Sequence, residues 1–345
     1  LRVSHYPQDP VIMEMCDKLG IVTSVEIPVV NAVTETEEFL QNSVEMAKEM
    51  VRQDFNRPSV MIWGYMNEIF LRRPYTEGKQ LEDYYRFTEK VARALEATIR
   101  EEDPSRYTMM AYHNMPQYYE DAHLTEIPMI QGWNLYQGWY GGNLTGFERF
   151  LAEQHKKFPS HPMIVSEYGA GSDKRIHSLQ PNAFDFSIEY QQKYLEHYLP
   201  VLEETPYVCG GTHWNFIDFS SALRDESMPR INNKGLVYSN RTPKDIYYYY
   251  KAAWRQDIPV LHIASRDWTH RSGIQHGKEP VILPVKIYTN LPEVELFIDG
   301  KSLGKQKTKN FAVTFEVPFC QKEHFIAAKA ENRKAVQDIS FVEDG

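Results

Sequence analysis

The chain has 345 residues, too many for one small domain and too few for three full ones at about 150 residues per domain. Hydrophobic residues make up 42% and charged residues 25%, which is ordinary globular composition and excludes a disordered or fibrous chain. The net charge of −9 comes without a basic cluster, and no run of about 18 apolar residues occurs, so neither nucleic-acid binding nor a membrane span is expected.

Short apolar runs alternate with amphipathic helical segments along the first 255 residues. The chain starts inside such a run, LRVSHYP, and further strands are predicted at 21–28, 60–68, 107–113, 127–136, 162–170 and 208–216. Helices are predicted at 35–54, 80–101, 145–157 and 187–204, with a closing helix at 243–254. This alternation is typical of βαβ units, and nearly continuous apolar runs are typical of parallel strands buried on both faces.

Nearly every predicted strand ends in polar or chemically capable residues, namely His5, Glu26, Asn67, Glu68, His113, Asn134, Tyr136, Glu167 and Asn215. In a (β/α)8 barrel the active site is built from these strand ends. An open doubly wound sheet also alternates strands and helices, but it would not carry functional groups at almost every strand end. We therefore expect an α/β TIM barrel over residues 1–257. Its first βα unit is expected upstream of Leu1, in a longer protein.

The pattern changes from about residue 258, where short segments of alternating hydrophobicity replace the helices. Strands are predicted at 285–289, 293–299, 311–317, 324–330 and 337–343. The Asp-Gly pair at 299–300 lies between two such runs and predicts a two-residue hairpin turn. We expect residues 258–345 to form an all-β immunoglobulin-like sandwich.

Two glutamates, Glu68 and Glu167, each follow at least four apolar residues at the end of a predicted strand. A buried carboxyl group is costly unless it is paired or hydrogen-bonded, so both need an explanation. Glycoside hydrolysis requires two carboxyl groups at one bond: one protonates the leaving oxygen, and the other attacks the anomeric carbon or activates water. Pairing with an arginine or capping of a helix is the structural alternative. The matching context of the two glutamates favours catalysis.

Other candidates are less specific. Arg2 could bridge to a carboxylate and keep it ionised, and His5 could bond a sugar hydroxyl, although a histidine in a turn before Pro7 is the simpler interpretation. We expect Trp63 in the core and Trp214, at a strand end, as a candidate stacking platform for a sugar.

Several other chemistries find no support in the sequence. No metal-ligand spacing, Gly-rich phosphate loop or nucleophile elbow occurs, so no metal, cofactor or Ser-His-Asp triad is predicted. The widely spaced cysteines, Cys16, Cys209 and Cys320, fit neither a disulfide framework nor a zinc site and leave the cellular compartment undecided.

Six segments resemble glycoside hydrolase family 2, which contains β-galactosidases, β-glucuronidases and β-mannosidases. They are RVSHYP at 2–7, RPSVMIWGYMNE at 57–68, NLYQGWY at 134–140, SEYGA at 166–170, WNFIDF at 214–219 and NNKGLVYSNRTPKD at 232–245. They occur in the family's order and cover nearly all of residues 1–255. The resemblance implies a retaining double displacement with Glu68 as general acid/base and Glu167 as nucleophile.

The resemblance also implies substrate-binding residues. Asn67 would bond the sugar 2-hydroxyl, Tyr136 would contact the nucleophile, and Trp214 would form an aromatic wall of the sugar site. Arg2 and His5 match the end of the family's second barrel strand.

Asn232 and Lys234 form an Asn-x-Lys arrangement that grips the substrate carboxylate in β-glucuronidases. A similar run occurs in β-galactosidase-like members that carry an extra C-terminal sandwich, so the motif does not separate the two. The family also implies two β-sandwich domains upstream of the barrel as partners in the longer protein. Whether it forms a homo-oligomer is left open.

The C-terminal sandwich favours a β-galactosidase, that is, a retaining exo-β-glycosidase that acts on a carbohydrate substrate. β-Glucuronidase is the alternative within the family. A non-catalytic carbohydrate-binding fragment is the alternative from another class, but such a fragment would not need Asn67 and both glutamates.

Overall fold

The structure is a computed structural model that describes residues 1–274, 277 and 279–343. It divides into two compact units. The first comprises Leu1–Gln137, Thr145–Tyr168 and Leu202–His213, and the second comprises Gly138–Leu144, Gly169–Val201 and Trp214–Gly345. The division into domains at 257/258 stays a prediction. Among the described residues, no helix has the length and apolar character needed to cross a membrane.

Seven parallel strands form one sheet in the first unit, and each strand pairs with the next along the chain. They are β1 (Arg2–Val3), β2 (Thr23–Glu26), β3 (Val60–Asn67), β4 (Tyr107–His113), β5 (Ile130–Asn134), β6 (Met163–Tyr168) and β7 (Val208–His213). The helices along this part of the chain are α1 (Pro10–Leu19), α2 (Glu37–Asp54), α3 (Gly78–Glu102), α4 (Pro116–Asp121), α5 (Gly146–Lys157) and α6 (Ile188–Glu204). Sequential parallel pairing with helical connections is the topology of a TIM barrel, so the predicted fold class is confirmed.

The burial pattern explains why these segments form strands and helices. Strands β2 and β5 are buried along their whole length, as expected for parallel strands covered on both faces. Helix α3 buries Tyr84, Thr88, Val91 and Leu95, which recur every three or four residues and form its apolar face. Helix α2 begins where the Thr36 hydroxyl accepts the backbone N–H of Phe39, a cap that contributes about 1 kcal/mol.

Two helices were not predicted from the sequence. Helix α1 carries clear boundary signals, because Asp9 caps its first turn through the N–H of Val11, Pro10 begins it, and Gly20 ends it at φ 68°. Only Met13 and Cys16 are buried in α1, so it lacks the periodic apolar face by which the other helices were found. Helix α4 has six residues, too few for a periodic pattern.

Within the residues that the structure describes, the second unit contains two larger β-sheets around a shared core and one two-stranded sheet. Its elements are β8 (Phe219–Ser220), β9 (Ile231–Asn232), α7 (Asp245–Trp254), β10 (Leu261–Ile263), β11 (His270–Gly273), β12 (Val281–Thr289), β13 (Glu293–Ile298), β14 (Lys301–Lys307), β15 (Ala312–Phe319), β16 (Lys322–Ala330) and β17 (Arg333–Glu343). One sheet has the order β10-β12-β15 and the other β11-β17-β16-β13-β14. Their inner faces meet through residues such as Val285, Leu296, Phe315 and Phe341. This is the predicted β-sandwich architecture.

The predicted hairpin connects β13 and β14. Ile298 pairs with Lys301 across the turn, and the two residues between them, Asp299 and Gly300, have φ values of 50° and 81°. Positive φ at both central positions is the requirement of the type I′ turn that Asp-Gly sequences favour. The Asp-Gly prediction is therefore confirmed.

Candidate active site

Polar side chains from five strand ends meet in the first unit. Six of the predicted site residues belong to this cluster: Arg2, His5, Asn67, Glu68, Tyr136 and Glu167. Three residues that had no assigned role join them: Glu26, Asn134 and Ser166. The register of neighbouring strands brings distant residues side by side, since Asn134 on β5 lies opposite Glu167 on β6.

Arg2 uses all five of its N–H donors within the cluster. Its Nε and Nη2 donate to the two carboxylate oxygens of Glu26, both at 3.0 Å, and Nη2 also donates to Oδ1 of Asn67 at 2.9 Å. Its Nη1 donates to Oε1 of Glu167 at 2.7 Å and to the carbonyl oxygen of Ser166 at 3.2 Å. Burial alone would lower the pKa of Arg2, but the two carboxylates raise it above its usual value. Arg2 is therefore a fixed positive charge.

Glu26 holds Arg2 in place. Its carboxylate forms the two-pronged pair with Arg2 and lies 2.9 Å from Nδ1 of His5. Burial would raise the pKa of Glu26, but Arg2 and His5 lower it, so the carboxylate stays charged. Gly64 lies opposite Glu26 in the β2–β3 register, and a Cβ atom there would come within 2.7 Å of the Cβ of Glu26. Only glycine leaves room for Glu26 at this position.

Glu167 is buried, and each of its two carboxylate oxygens has a charged or hydroxyl donor. Oε1 accepts from Nη1 of Arg2 at 2.7 Å, and Oε2 accepts from the hydroxyl of Tyr136, also at 2.7 Å. Nε2 of His5 lies 3.8 Å from Oε1. Arg2 and Tyr136 together fix the orientation of this carboxylate. This environment suits a nucleophile.

Glu68 has the opposite environment. It is half-buried directly after β3, in a left-handed backbone conformation with φ 50° that non-glycine residues adopt at a cost of about 1 kcal/mol or more. Its Oε1 accepts one hydrogen bond, from Nδ2 of Asn134 at 3.0 Å. Burial and the negative charge of Glu167 raise the pKa of Glu68 to about 7. A carboxyl group that keeps its proton near neutral pH, beside a second carboxyl group oriented by a guanidinium and a hydroxyl, is the arrangement that acid catalysis with a nucleophile needs.

Asn134 connects the two halves of the cluster. Its Nδ2 donates to Glu68 and, at 3.1 Å, to Oδ1 of Asn67, while its own Oδ1 accepts from the hydroxyl of Ser166 at 2.7 Å. Ser166 thereby fixes which way the amide of Asn134 points. Because Oδ1 of Asn67 accepts from both Arg2 and Asn134, its Nδ2 group is left to donate to a ligand. Asn134 and Ser166 stood at or beside predicted strand ends, which was the available signal for both.

Glu26, Glu68 and Glu167 each accept a hydrogen bond from a protein donor. Across residues 1–274, 277 and 279–343, no group of three or more His, Cys, Asp or Glu side chains is arranged to hold a metal ion.

The remaining predicted site residues, Trp214, Asn232 and Lys234, belong to the second unit. The side chain of Lys234 is fully buried, with Nζ 5.1 Å from the centroid of the Tyr140 ring. Asn232 lies on β9, and its Oδ1 accepts the backbone N–H of Lys234 at 3.4 Å. Trp214 is half-buried and meets Phe219 edge to face at 6.1 Å.

Comparison with known proteins identifies the family. Residues 1–258 match the family described as "Glycosyl hydrolases family 2, TIM barrel domain". The chain belongs to glycoside hydrolase family 2. The second match, to a domain of unknown function, covers residues 281–332.

Family members named β-glucuronidase align along almost the whole chain. A β-glucuronidase from Bacteroides fragilis is 31% identical over 359 residues, covering 99% of this chain and 48% of its own length. The crystal structure of a Bacteroides uniformis β-glucuronidase is 61% identical with a TM-score of 0.94, covering 99% of this chain and 42% of its own. A structure of Bacteroides uniformis β-glucuronidase 2 covalently bound to cyclophellitol-6-carboxylate aziridine matches with the same identity and TM-score. The chain thus spans less than half the length of these family members.

These comparisons correct the preference for β-galactosidase. That preference depended on the C-terminal sandwich, but the Bacteroides fragilis β-glucuronidase aligns over 99% of the chain, sandwich included. The sandwich therefore does not separate the two activities, and the relatives favour the β-glucuronidase alternative.

Proposed function

We propose that the protein is a retaining exo-β-glucuronidase, which releases terminal β-linked glucuronic acid through a covalent glycosyl-enzyme. One observation supports this mechanism above all others: Glu68, with a pKa of about 7, shares a cluster with Glu167, whose carboxylate is held by Arg2 and Tyr136. The first is suited to donate a proton and the second to attack.

In the first step a carboxylate oxygen of Glu167 attacks the anomeric carbon. The bond between that carbon and the leaving oxygen breaks while Glu68 transfers its proton to the leaving oxygen, so the aglycone departs as a neutral alcohol. Arg2 and Tyr136 orient Glu167 for this attack. Asn67, whose Nδ2 remains available beside the cluster, is proposed to bond the 2-hydroxyl of the sugar.

In the second step Glu68 acts as a base. Glu167 is now an uncharged ester, so one cause of the raised pKa of Glu68 has disappeared and its carboxylate form becomes favourable. Glu68 takes a proton from a water molecule, the water oxygen attacks the anomeric carbon, and Glu167 leaves as a carboxylate. Two inversions give overall retention.

The choice of glucuronic acid has two supports. The relatives with the strongest similarity reported above are named β-glucuronidase, and one is covalently bound to a ligand that carries a carboxylate. Asn232 and Lys234 are the residues proposed to recognise such a carboxylate. Both proposals concern the activity of the whole protein, since the chain covers less than half the length of the relatives reported above.

The deciding experiment compares 4-nitrophenyl β-glucuronide, β-galactoside and β-mannoside as substrates of the longest protein that contains this chain. We expect the glucuronide to have the largest kcat/KM. A larger value for the galactoside would refute the sugar assignment. Binding of a glycoside without turnover of any of the three would favour the non-catalytic alternative.

The pKa of Glu68 predicts the pH dependence of the first step. Glu68 must be protonated to act as an acid, so kcat/KM should fall about tenfold per pH unit above about pH 7. A pH series with a phenyl glycoside, whose aglycone is a poor leaving group, measures this decrease in kcat/KM. A kcat/KM that stays constant up to pH 9 would contradict the role of Glu68.

Retention also predicts a distance. The carboxyl groups of Glu68 and Glu167 should lie about 5–5.5 Å apart, because the nucleophile must reach the sugar while the acid reaches its oxygen. A crystal structure of the longer protein measures this directly. A separation of about 9 Å would indicate an inverting mechanism instead.

A further inference from the structure

A second group of polar residues in the first unit adjoins the catalytic cluster but takes no part in the mechanism above. His113 ends β4 and lies opposite Asn134 of β5. Paired residues on neighbouring strands point to the same face of a sheet, so His113 shares the face of Asn134. Asn134 in turn bonds to Glu68, whose backbone N–H donates to the carbonyl of Ala111 on β4. His113 is therefore linked to the acid through Asn134.

Tyr119 fixes the position of His113 through two hydrogen bonds. The hydroxyl oxygen of Tyr119 accepts the backbone N–H of His113 at 3.1 Å. The same hydroxyl is hydrogen-bonded to Nδ1 of His113, 2.6 Å away. Burial and the nearby charge of Arg73 lower the pKa of His113 to about 4, so the ring is neutral near pH 7. Tyr119 thus holds a neutral imidazole whose Nδ1 is bound by protein.

Arg73 places a positive charge near His113. Its guanidinium carbon lies 3.8 Å from the centroid of the Tyr118 ring, and Nη1 donates to the hydroxyl of Tyr85 at 2.9 Å. The Tyr118 ring is 5.9 Å from the His113 ring. Within the part of the chain that the structure describes, Arg73 forms no ion pair with a carboxylate. A half-buried guanidinium that is bound only by neutral groups has donors and charge left for an anion.

The two tyrosines that bind Arg73 and His113 pack on the same buried ring. The ring of Phe70 packs against Tyr85 and Tyr119, in each case with 5.0 Å between centroids. Tyr85 holds Arg73, and Tyr119 holds His113. Because both supports pack on one buried aromatic ring, the guanidinium and the imidazole keep their spacing without a ligand, which lowers the entropy cost of binding one.

We propose that Arg73, His113 and Tyr118 form a leaving-group subsite that binds an aglycone carrying an anionic group, either a carboxylate or a sulfate. The inference rests on the proposed function, in which Glu68 protonates the oxygen between the sugar and the aglycone. The aglycone must then lie on the Glu68 side of the cluster, and His113, which Tyr118 neighbours, is linked to Glu68 through Asn134. The natural substrate class would be a glucuronide of an acidic sugar or another acidic alcohol.

The experiment measures how the enzyme ranks charged against neutral aglycones. The probes are 3-carboxyphenyl, 3-sulfatophenyl and 3-carbamoylphenyl β-glucuronides, of which the last is neutral and similar in size to the first. We expect both charged probes to exceed the carbamoyl probe in kcat/KM. The quantity compared is the ratio of kcat/KM for a charged probe to kcat/KM for the carbamoyl probe. Arg73→Met should lower this ratio about tenfold, mainly through KM, because one charged hydrogen bond is lost. Arg73→Lys should restore part of it, and His113→Phe should raise KM for the charged probes.

Arg72→Met is the matched control, since Arg72 is exposed and adjacent in sequence but outside the group. It should leave the ratio unchanged, and thermal melting checks that each variant is folded. A ratio near one in the unsubstituted protein, or the same ratio in Arg73→Met, would overturn the subsite. The ratio for the sulfate probe relative to the carboxylate probe identifies the preferred anion.

Two further measurements distinguish a failure of this inference from a failure of the proposed function. The same aglycones are assayed as β-galactosides, so a wrong sugar assignment still leaves the ratio measurable. Binding of free 3-hydroxybenzoate and 3-hydroxybenzamide by calorimetry needs no turnover. Tighter binding of the benzoate that disappears in Arg73→Met would support the subsite, and equal binding of the two would refute it even if glucuronides are hydrolysed.

Discussion

Replacing Glu167 with Gln is expected to lower kcat for every substrate by about four orders of magnitude or more. The amide keeps the size of the side chain but cannot attack the anomeric carbon, so no glycosyl-enzyme forms. In Glu167→Gly, where removal of the side chain leaves room beside the anomeric carbon, azide should take the place of the missing carboxylate and restore turnover. Because azide attacks only once, the glycosyl azide should have the inverted configuration, which NMR of the product measures.

Glu153→Gln is a suitable control for this variant. Glu153 is exposed on α5, so the substitution makes the same chemical change away from the cluster. It should retain the full rate. The assignment of Glu167 as nucleophile would be wrong if Glu167→Gln kept near-normal turnover, or if azide gave a product with retained configuration.

Replacing Glu68 with Gln should produce a loss that depends on the leaving group. A 2,4-dinitrophenolate departs without a proton, so this aglycone should still glycosylate Glu167 at nearly the normal rate, while a phenyl aglycone should react orders of magnitude more slowly. Deglycosylation should also slow, because water has lost its base. Azide needs no base, so it should accelerate this step and give a product with retained configuration.

The two variants together test the assignment of acid and nucleophile more strictly than either variant alone. The decrease of kcat/KM above pH 7, which depends on the proton of Glu68, should be absent in Glu68→Gln. An equal dependence on the leaving group in the Glu167 and Glu68 variants would contradict the assignment of acid and nucleophile.

The sequence was sufficient to predict the parts of this molecule that follow from local patterns. Apolar runs separated by helices predicted the strands of the barrel sheet, and β4 was predicted residue for residue at 107–113. The same logic identified Glu68 and Glu167, because a carboxyl group at the end of an apolar run is conspicuous. The turn at Asp299–Gly300 was predictable because the φ angles of a two-residue hairpin select its residues.

What the sequence did not reveal depends on contacts between distant segments. Arg2 and Glu167 are 165 positions apart, and the role of Glu26 as the anchor of Arg2 depends on the register between β1 and β2. The function of Ser166 was missed for the same reason, since a serine without a nucleophile elbow gives no sign that its hydroxyl orients Asn134. The raised pKa of Glu68 likewise follows from burial and from a charge on another strand.

Gly64 shows that a position without a side chain can still restrict which residues the site tolerates. It has no side chain with which to touch a ligand, yet a single methyl group there would collide with Glu26 and disturb the guanidinium that Glu26 anchors. A mutagenesis library restricted to residues that line the substrate would omit this position. In a library covering the whole barrel, Gly64 should tolerate as few replacements as the nucleophile itself, and a homologue with another residue at this point should also differ at Glu26.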